Sequence, residues 1–150
     1  MDANFEAFTV LISRISRSIK RIKTEEMAEF QLKGTHVSCL YYLYLSDSMT
    51  AAELCERTEE DKAALSRSLE YLEAQGYLTG PDKGARRYKY PLHLTKKGRA
   101  VGRAVADRVS RIASQASCDL TETEREIMYR SLGQICARLE AMEFRNERKD

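Results

Sequence analysis

The chain has no tryptophan, two prolines, two histidines and seven glycines in 150 residues. So little proline and glycine leaves no room for a long disordered linker. His36 and His93 stand far apart without an H-x-x-x-H pairing, which removes the usual basis for a zinc or catalytic histidine site. The four cysteines (Cys39, Cys55, Cys118 and Cys136) form no C-x-x-C pair. They are expected to act mainly as small buried hydrophobes. No segment approaches the ~20 consecutive apolar residues of a bilayer crossing. Asp2 and Glu6 occupy the region where a signal peptide carries positive charge. A glycine-rich phosphate loop, a nucleophile elbow and a Walker motif are all missing. The expectation is a cytoplasmic protein that is not an enzyme, with no cofactor, no metal and no membrane partner.

What is present fits one domain, 1–150, long enough to bury a core. Hydrophobic residues make up 43% and charged residues 32%, the usual range for a globular protein. The net charge is only +2, and taken alone it gives no reason to expect a polyanionic partner. Its distribution gives one. Residues 1–60 carry a net −3, residues 61–103 a net +6 and residues 104–150 a net −1. A basic middle between acidic flanks points toward nucleic acid.

Phe5, Phe8, Ile12, Ile15, Ile19 and Ile22 step by three and four, which predicts one apolar stripe along a helix. The spacing follows a coiled-coil seam, so lengthwise packing against other helices is expected. Gly34 is expected to supply a left-handed corner after it. Val37–Leu45 is apolar or aromatic except at Ser38, as in a helix buried on most sides. A turn at 46–48 precedes Thr50-Ala51-Ala52-Glu53, a capping box that opens a short helix ending near Thr58. Another helix runs from about Asp61 to a glycine cap at Gly76, with Leu65, Leu69 and Leu72 inward and Lys62, Ala63, Ser66 and Arg67 on another face. Two short helices joined by a tight turn describe a helix-turn-helix.

Tyr77–Thr79 then reads as a strand, and Gly80-Pro81-Asp82-Lys83-Gly84 as turn signal. From Arg87 the period changes to two, with Tyr88, Tyr90, Leu92 and Leu94 on one face. Pro91 places that strand at an edge, or turns Pro91 to an unpaired side. The hairpin is a wing tipped with Lys83, Arg86 and Arg87. Thr95 can cap a long helix to about Ser117, in which Gly98 and Gly102 permit close approach of a neighbour. A second capping box, Thr121 to Glu124, opens a helix with a seam of Met128, Leu132, Ile135, Leu139 and Met142. The fold class is mainly α with a small β-wing.

This order of elements resembles the multiple-antibiotic-resistance regulator (MarR) family of winged helix-turn-helix repressors, over nearly the whole chain. The sharpest stretches are residues 61–78, similar to the family's recognition helix and first wing strand, and Leu94-Thr95-Lys96-Lys97-Gly98-Arg99, similar to its wing exit. One departure stands in the wing: the family usually has an Asp two positions before a wing Arg, where this chain reads Ala85-Arg86-Arg87-Tyr88.

The resemblance implies a winged helix-turn-helix lobe at about 35–94 and a helical dimerisation lobe at about 4–30 and 95–144. It implies a homodimer that binds double-stranded DNA at a near-palindromic operator, each recognition helix in a major groove. Lys62, Ala63, Ser66 and Arg67 would then face bases or flanking phosphates, with Arg67 reading guanine. Lys83, Arg86 and Arg87 would reach the minor groove or its phosphates, and the helix start at Thr50 a phosphate. A small aromatic effector is also implied, in a pocket to which Met27, Phe30, His36, Tyr41 and Tyr42 could contribute. Two alternatives accompany this reading: redox control through Cys118, and a winged domain that binds protein instead of DNA.

Overall fold

The computed structural model describes residues 3–58, 60–80 and 89–146. The chain divides into two compact units, one up to Val109 and one from Ser110. In the first, helix α1 (Ala3–Met27) leads through a 3-10 turn (Ala28–Phe30) to α2 (Gly34–Ser46). There follow β1 (Ser48–Thr50), α3 (Ala51–Thr58), α4 (Lys62–Ala74), β2 (Leu78–Thr79), β3 (Pro91–Leu94) and the start of α5 (Lys96–Ala116). The second unit holds the rest of α5, the turn after it and α6 (Glu122–Asn146).

Leucine supplies most of the first unit's core. Leu40 and Leu43 of α2, Leu54 of α3, and Leu65, Leu69 and Leu72 of α4 meet Leu78 and Leu92 of the sheet in one buried cluster. Full burial of each such side chain stabilises the fold by about 1.5–3 kcal/mol. Met27, Val37 and Val105 form a smaller cluster, with Phe30 and Tyr41 packed against it. Arg108 of α5 secures the end of α1. Its guanidinium donates to the Glu26 carbonyl and the Glu29 carboxylate, and it lies over the Phe30 ring.

Two local expectations are corrected and a third is decided. The left-handed residue between α1 and α2 is Gln31 (φ 53°), whereas Gly34 is simply the first residue of α2. The stretch read as a turn at 46–48 ends in strand β1, whose Met49 is buried. The sheet order is β1-β3-β2, so β3 is central, and of the two expectations for Pro91 the second fits: it pairs with Thr50 of β1, while the described β2 register reaches only His93. Pro91 is tolerated there because it is the first residue of β3, in register with Thr50, where a missing N–H does least damage. β3 begins at Pro91, and Tyr90 just before it is exposed.

The wing exit is built from the residues that carry the resemblance. Gly76, with φ 72°, ends α4 as the sequence predicts. The N–H groups of Gly76 and Tyr77 close back onto the carbonyls of Glu73 and Leu72, the double bond of a Schellman cap. The Thr95 hydroxyl donates to the Gly76 carbonyl at 2.7 Å and accepts from the Gly98 N–H at 3.1 Å. Lys97 donates to the Gln75 carbonyl at 2.8 Å and lies over the Tyr77 ring. Arg99 pairs with Asp47 at 3.1 Å. A Cβ on Gly98 would fall 1.8 Å from the Tyr77 carbonyl oxygen, and one on Gly102 would lie 2.9 Å from that of Leu40. Both glycines therefore serve close approach, as expected from the sequence.

Candidate nucleic-acid interface

The exposed side of α4 follows from its buried side. With Leu65, Ser68, Leu69 and Leu72 directed into the core, the residues between them must face out. Lys62, Ala63, Ser66, Arg67 and Glu70 are all exposed. The helix start is stiffened by Asp61, whose carboxylate accepts from the Ala64 N–H at 2.9 Å. Lys62, Ala63, Ser66 and Arg67 thus share one outward surface, spaced by a helical turn, on a helix whose other side is fully packed. Arg67 and Lys62 give that surface cationic reach, while Ala63 and Ser66 keep it shallow enough for a groove edge to approach.

Thr50 occupies the junction of β1 and α3. Its N–H and hydroxyl donate to the Glu53 carboxylate at 2.8 and 3.0 Å, and its hydroxyl accepts the Glu53 N–H at 3.2 Å. The capping box expected from the spacing is therefore formed. The backbone N–H of Thr50, with its hydroxyl, holds the Glu53 carboxyl below the usual carboxylate range. An anion approaching this helix start meets a carboxylate already in place. The expected wing contacts at Lys83, Arg86 and Arg87 lie outside the described residues, as does the local run that departs from the family's wing pattern.

Part of the basic middle segment has a structural role. Lys97 and Arg99 are engaged by Gln75, Tyr77 and Asp47, whereas Lys96 and Arg103 are exposed on the first turns of α5. Regional charge alone could not separate these groups, because the distinction depends on which carbonyls and carboxylates the fold brings near.

A cleft of about 800 Å³ opens between α1 and the start of α2. Ile12, Ile15, Ile19, Met27, Leu32 and Val37 line it together with Lys20, Lys23, Lys33 and Glu60. Of the five residues expected at an effector pocket, only Met27 lines this cleft. Phe30 lies under Arg108, and Tyr41 packs beside it against the smaller core cluster. Tyr42 packs against the main core. His36 is buried at the start of α2 and stacked on Tyr71 of α4, a pairing with no signal in sequence spacing. The apolar α1 stripe, with Lys20 and Lys23 beside it, forms one side of the cleft.

The cysteines differ in setting. Cys39 is fully buried, and burial, followed by the negative charge of Glu60, pushes its thiol up to about 12. The Cys55 thiol donates to the Glu60 carbonyl at 3.0 Å. Cys118, in the turn between α5 and α6, and Cys136 are exposed, and none of the four is in a disulfide.

Residues 30–87 match the model of the MarR family. No curated protein matches the chain. Among solved structures, a MarR family regulator from Neisseria meningitidis superposes with a TM-score of 0.76 at 18% identity, covering 93% of this chain and 98% of its own. The S. aureus MepR–DNA complex gives a TM-score of 0.74 at 19% identity, over 88% of this chain and 96% of that one. A mutant of MarR from E. coli, complexed with operator DNA, gives 0.68 at 18% identity, over 88% and 95%. The helix-turn-helix, the sheet at the base of the wing and the long flanking helices are those of this fold. Residues 30–87 are thus similar to the MarR family, and the chain has the winged-helix fold of the solved MarR family structures.

Proposed function

We propose that this protein is a DNA-binding transcriptional regulator that acts as a homodimer, represses from a near-palindromic operator and is released by a small molecule. The observation that carries the reading is the α4 surface: Lys62, Ala63, Ser66 and Arg67 exposed together above a leucine face buried in the core. A helix so mounted can enter a major groove as a rigid element. Arg67 has the fork that pairs with both acceptors of guanine. Lys83, Arg86 and Arg87 on the wing are proposed to take the flanking minor groove or its phosphates. At Thr50 the proposed phosphate contact has to use backbone N–H groups beyond the one that Glu53 already occupies.

The homodimer is supported by apolar surface. Ile12, Ile15 and Ile19 on α1 and Leu132, Ile135, Leu139 and Met142 on α6 are all exposed in the single chain. Long helical seams of this kind are covered by further helices in soluble proteins. The α1–α2 cleft, with its aliphatic wall and lysine rim, falls in the size range of small-molecule sites and is the proposed place of the effector.

The test is titration of wild type, Arg67→Ala and Arg87→Ala against a duplex recovered from random sequences and against its scrambled form. Arg67→Ala should lose about 1–3 kcal/mol on the selected duplex and much less on the scrambled one. Arg87→Ala should weaken both similarly, and binding should fall steeply with salt. Equal losses on both duplexes for Arg67→Ala would remove its base-reading role. Recovery of no duplex, with salt-insensitive binding to a protein partner, would favour a protein-binding winged domain.

A further inference from the structure

His36 is 6% exposed in the first turn of α2. Its Nδ1 accepts the Lys33 N–H at 3.3 Å, closing the helix start. That bond assigns the neutral tautomer with its proton on Nε2. The imidazole lies flat on the Tyr71 ring of α4, with centroids 4.4 Å apart and planes 7° from parallel. Tyr71 stands on the outer half of α4, one turn beyond Arg67. The ring therefore joins the cap of one helix to the helix that carries the exposed Lys62–Arg67 surface.

We infer that His36 is a pH-responsive positioning residue for α4, its neutral ring holding the helix in place and its protonation releasing that hold and weakening DNA binding. The inference rests on the DNA-binding reading above. A proton on Nδ1 would turn the acceptor of the cap into a donor facing the Lys33 N–H, so the bond is lost. It would also place a cation in a buried site beside the Lys33 ammonium. The charged ring is pushed off the cap, and its stack on Tyr71 shifts with it.

The surroundings agree. Lys33 from the α2 cap is the charge that acts on the ring, and Tyr71 from α4 stacks on it. Glu60, in the α3–α4 connection, takes the Thr35 hydroxyl at 3.1 Å. Burial, and then Lys33, hold the His36 imidazole below its ordinary value of 6.5. A base with a lowered folded-state value binds more protons unfolded than folded. Its contribution is whole above about pH 6.5 and is lost as the pH falls from there through the lowered value.

The experiment uses the full chain and a duplex selected from random sequences, at constant ionic strength, from about pH 8 to about pH 5.5. Affinity should be flat down to about pH 7 and then fall about three- to tenfold more steeply than in His36→Gln, which keeps an acceptor but does not titrate. His93→Gln, altering the exposed histidine of β3, should keep the wild-type profile. In parallel, NMR of the free wild-type protein should show the Tyr71 ring resonances moving with the His36 titration. An identical pH slope in wild type and His36→Gln overturns the proposal. So does a His36 titration that leaves Tyr71 unmoved, which needs no variant to fold. Failure of every duplex to bind at any pH would instead overturn the DNA-binding reading, while the Tyr71 shifts would still decide the link between α2 and α4.

Discussion

α4 and α6 carry leucine and its relatives at the same helical spacing and meet opposite fates. In α4, Leu65, Leu69 and Leu72 are at most 2% exposed; in α6, Leu132, Ile135, Leu139 and Met142 are 37–59% exposed. The periodicity is the same because both helices need one apolar face. What differs is the partner. α4 is covered by α2, α3 and the sheet, whereas the α6 seam residues stay exposed. Identical patterning therefore marks a core face in one region and an exposed apolar face in the other, and only burial separates them.

The largest expected effects test that difference directly. Leu72→Ala should destabilise the protein by about 2–5 kcal/mol, independently of protein concentration, because it opens a cavity in a fully packed site. Leu139→Ala on α6 should leave secondary structure intact and make the thermal midpoint depend on concentration, through weaker self-association. Denaturation at two concentrations about a hundredfold apart, with sedimentation, checks both. A concentration-independent loss of similar size at Leu139 would mean that α6 is covered from within its own chain.

The next effect concerns the wing exit. Gly98→Ala drives a Cβ against the Tyr77 carbonyl, which is backbone and cannot yield as a side-chain tip does. Overpacking of this kind costs about 1–3 kcal/mol or more. It should also loosen the Thr95–Gly76 tie, seen as faster amide exchange at Tyr77 and Thr95. Gly133→Ala on α6, where an added Cβ meets nothing within 4 Å, should be neutral or slightly stabilising through helix propensity. Parallel outcomes in the two variants would refute the idea that glycine has a packing role only in the first.

Much of this was legible beforehand, and the particular residues show why. Capping boxes are written in four consecutive positions, so Thr50–Glu53 and Thr121–Glu124 could be read directly. Gly98 and Gly102 announced a close approach because glycine has little other reason to sit inside a helix. β1 was missed because three residues with one buried Met49 have no period to read, and their pairing partner lies more than forty positions away. Pro91 was legible as a position unpaired on one side, as it is toward β2, but it says nothing about which neighbours flank residues 92–94. Of the five effector-pocket candidates only Met27 lines the α1–α2 cleft, because an aromatic side chain shows that it packs, not which cavity it faces. His36 illustrates the limit most clearly, since its stack on Tyr71 joins two helices across a distance that no spacing rule spans.

The smallest effect lies in the two capping boxes, which repeat one chemistry in both regions. The Thr121 N–H and hydroxyl both donate to Glu124 at 2.7 Å, as those of Thr50 do to Glu53. In each case the backbone N–H, then the threonine hydroxyl, hold the carboxyl below its ordinary range. A depressed carboxylate contributes stability above the ordinary carboxylate range and loses it as the pH falls through the lowered value. Thr50→Ala and Thr121→Ala should each cost about 1 kcal/mol at neutral pH, a difference that shrinks toward acidic pH as the glutamates protonate. If α3 is held by its own chain and α6 by a second copy, Thr50→Ala shows its cost at every concentration. Thr121→Ala then shows part of its cost as weaker self-association, because fraying the start of α6 disturbs the seam that begins at Met128. Thermal denaturation across pH at two protein concentrations reads both. Concentration-independent losses at both sites would place α3 and α6 in the same class and dissolve the distinction between them.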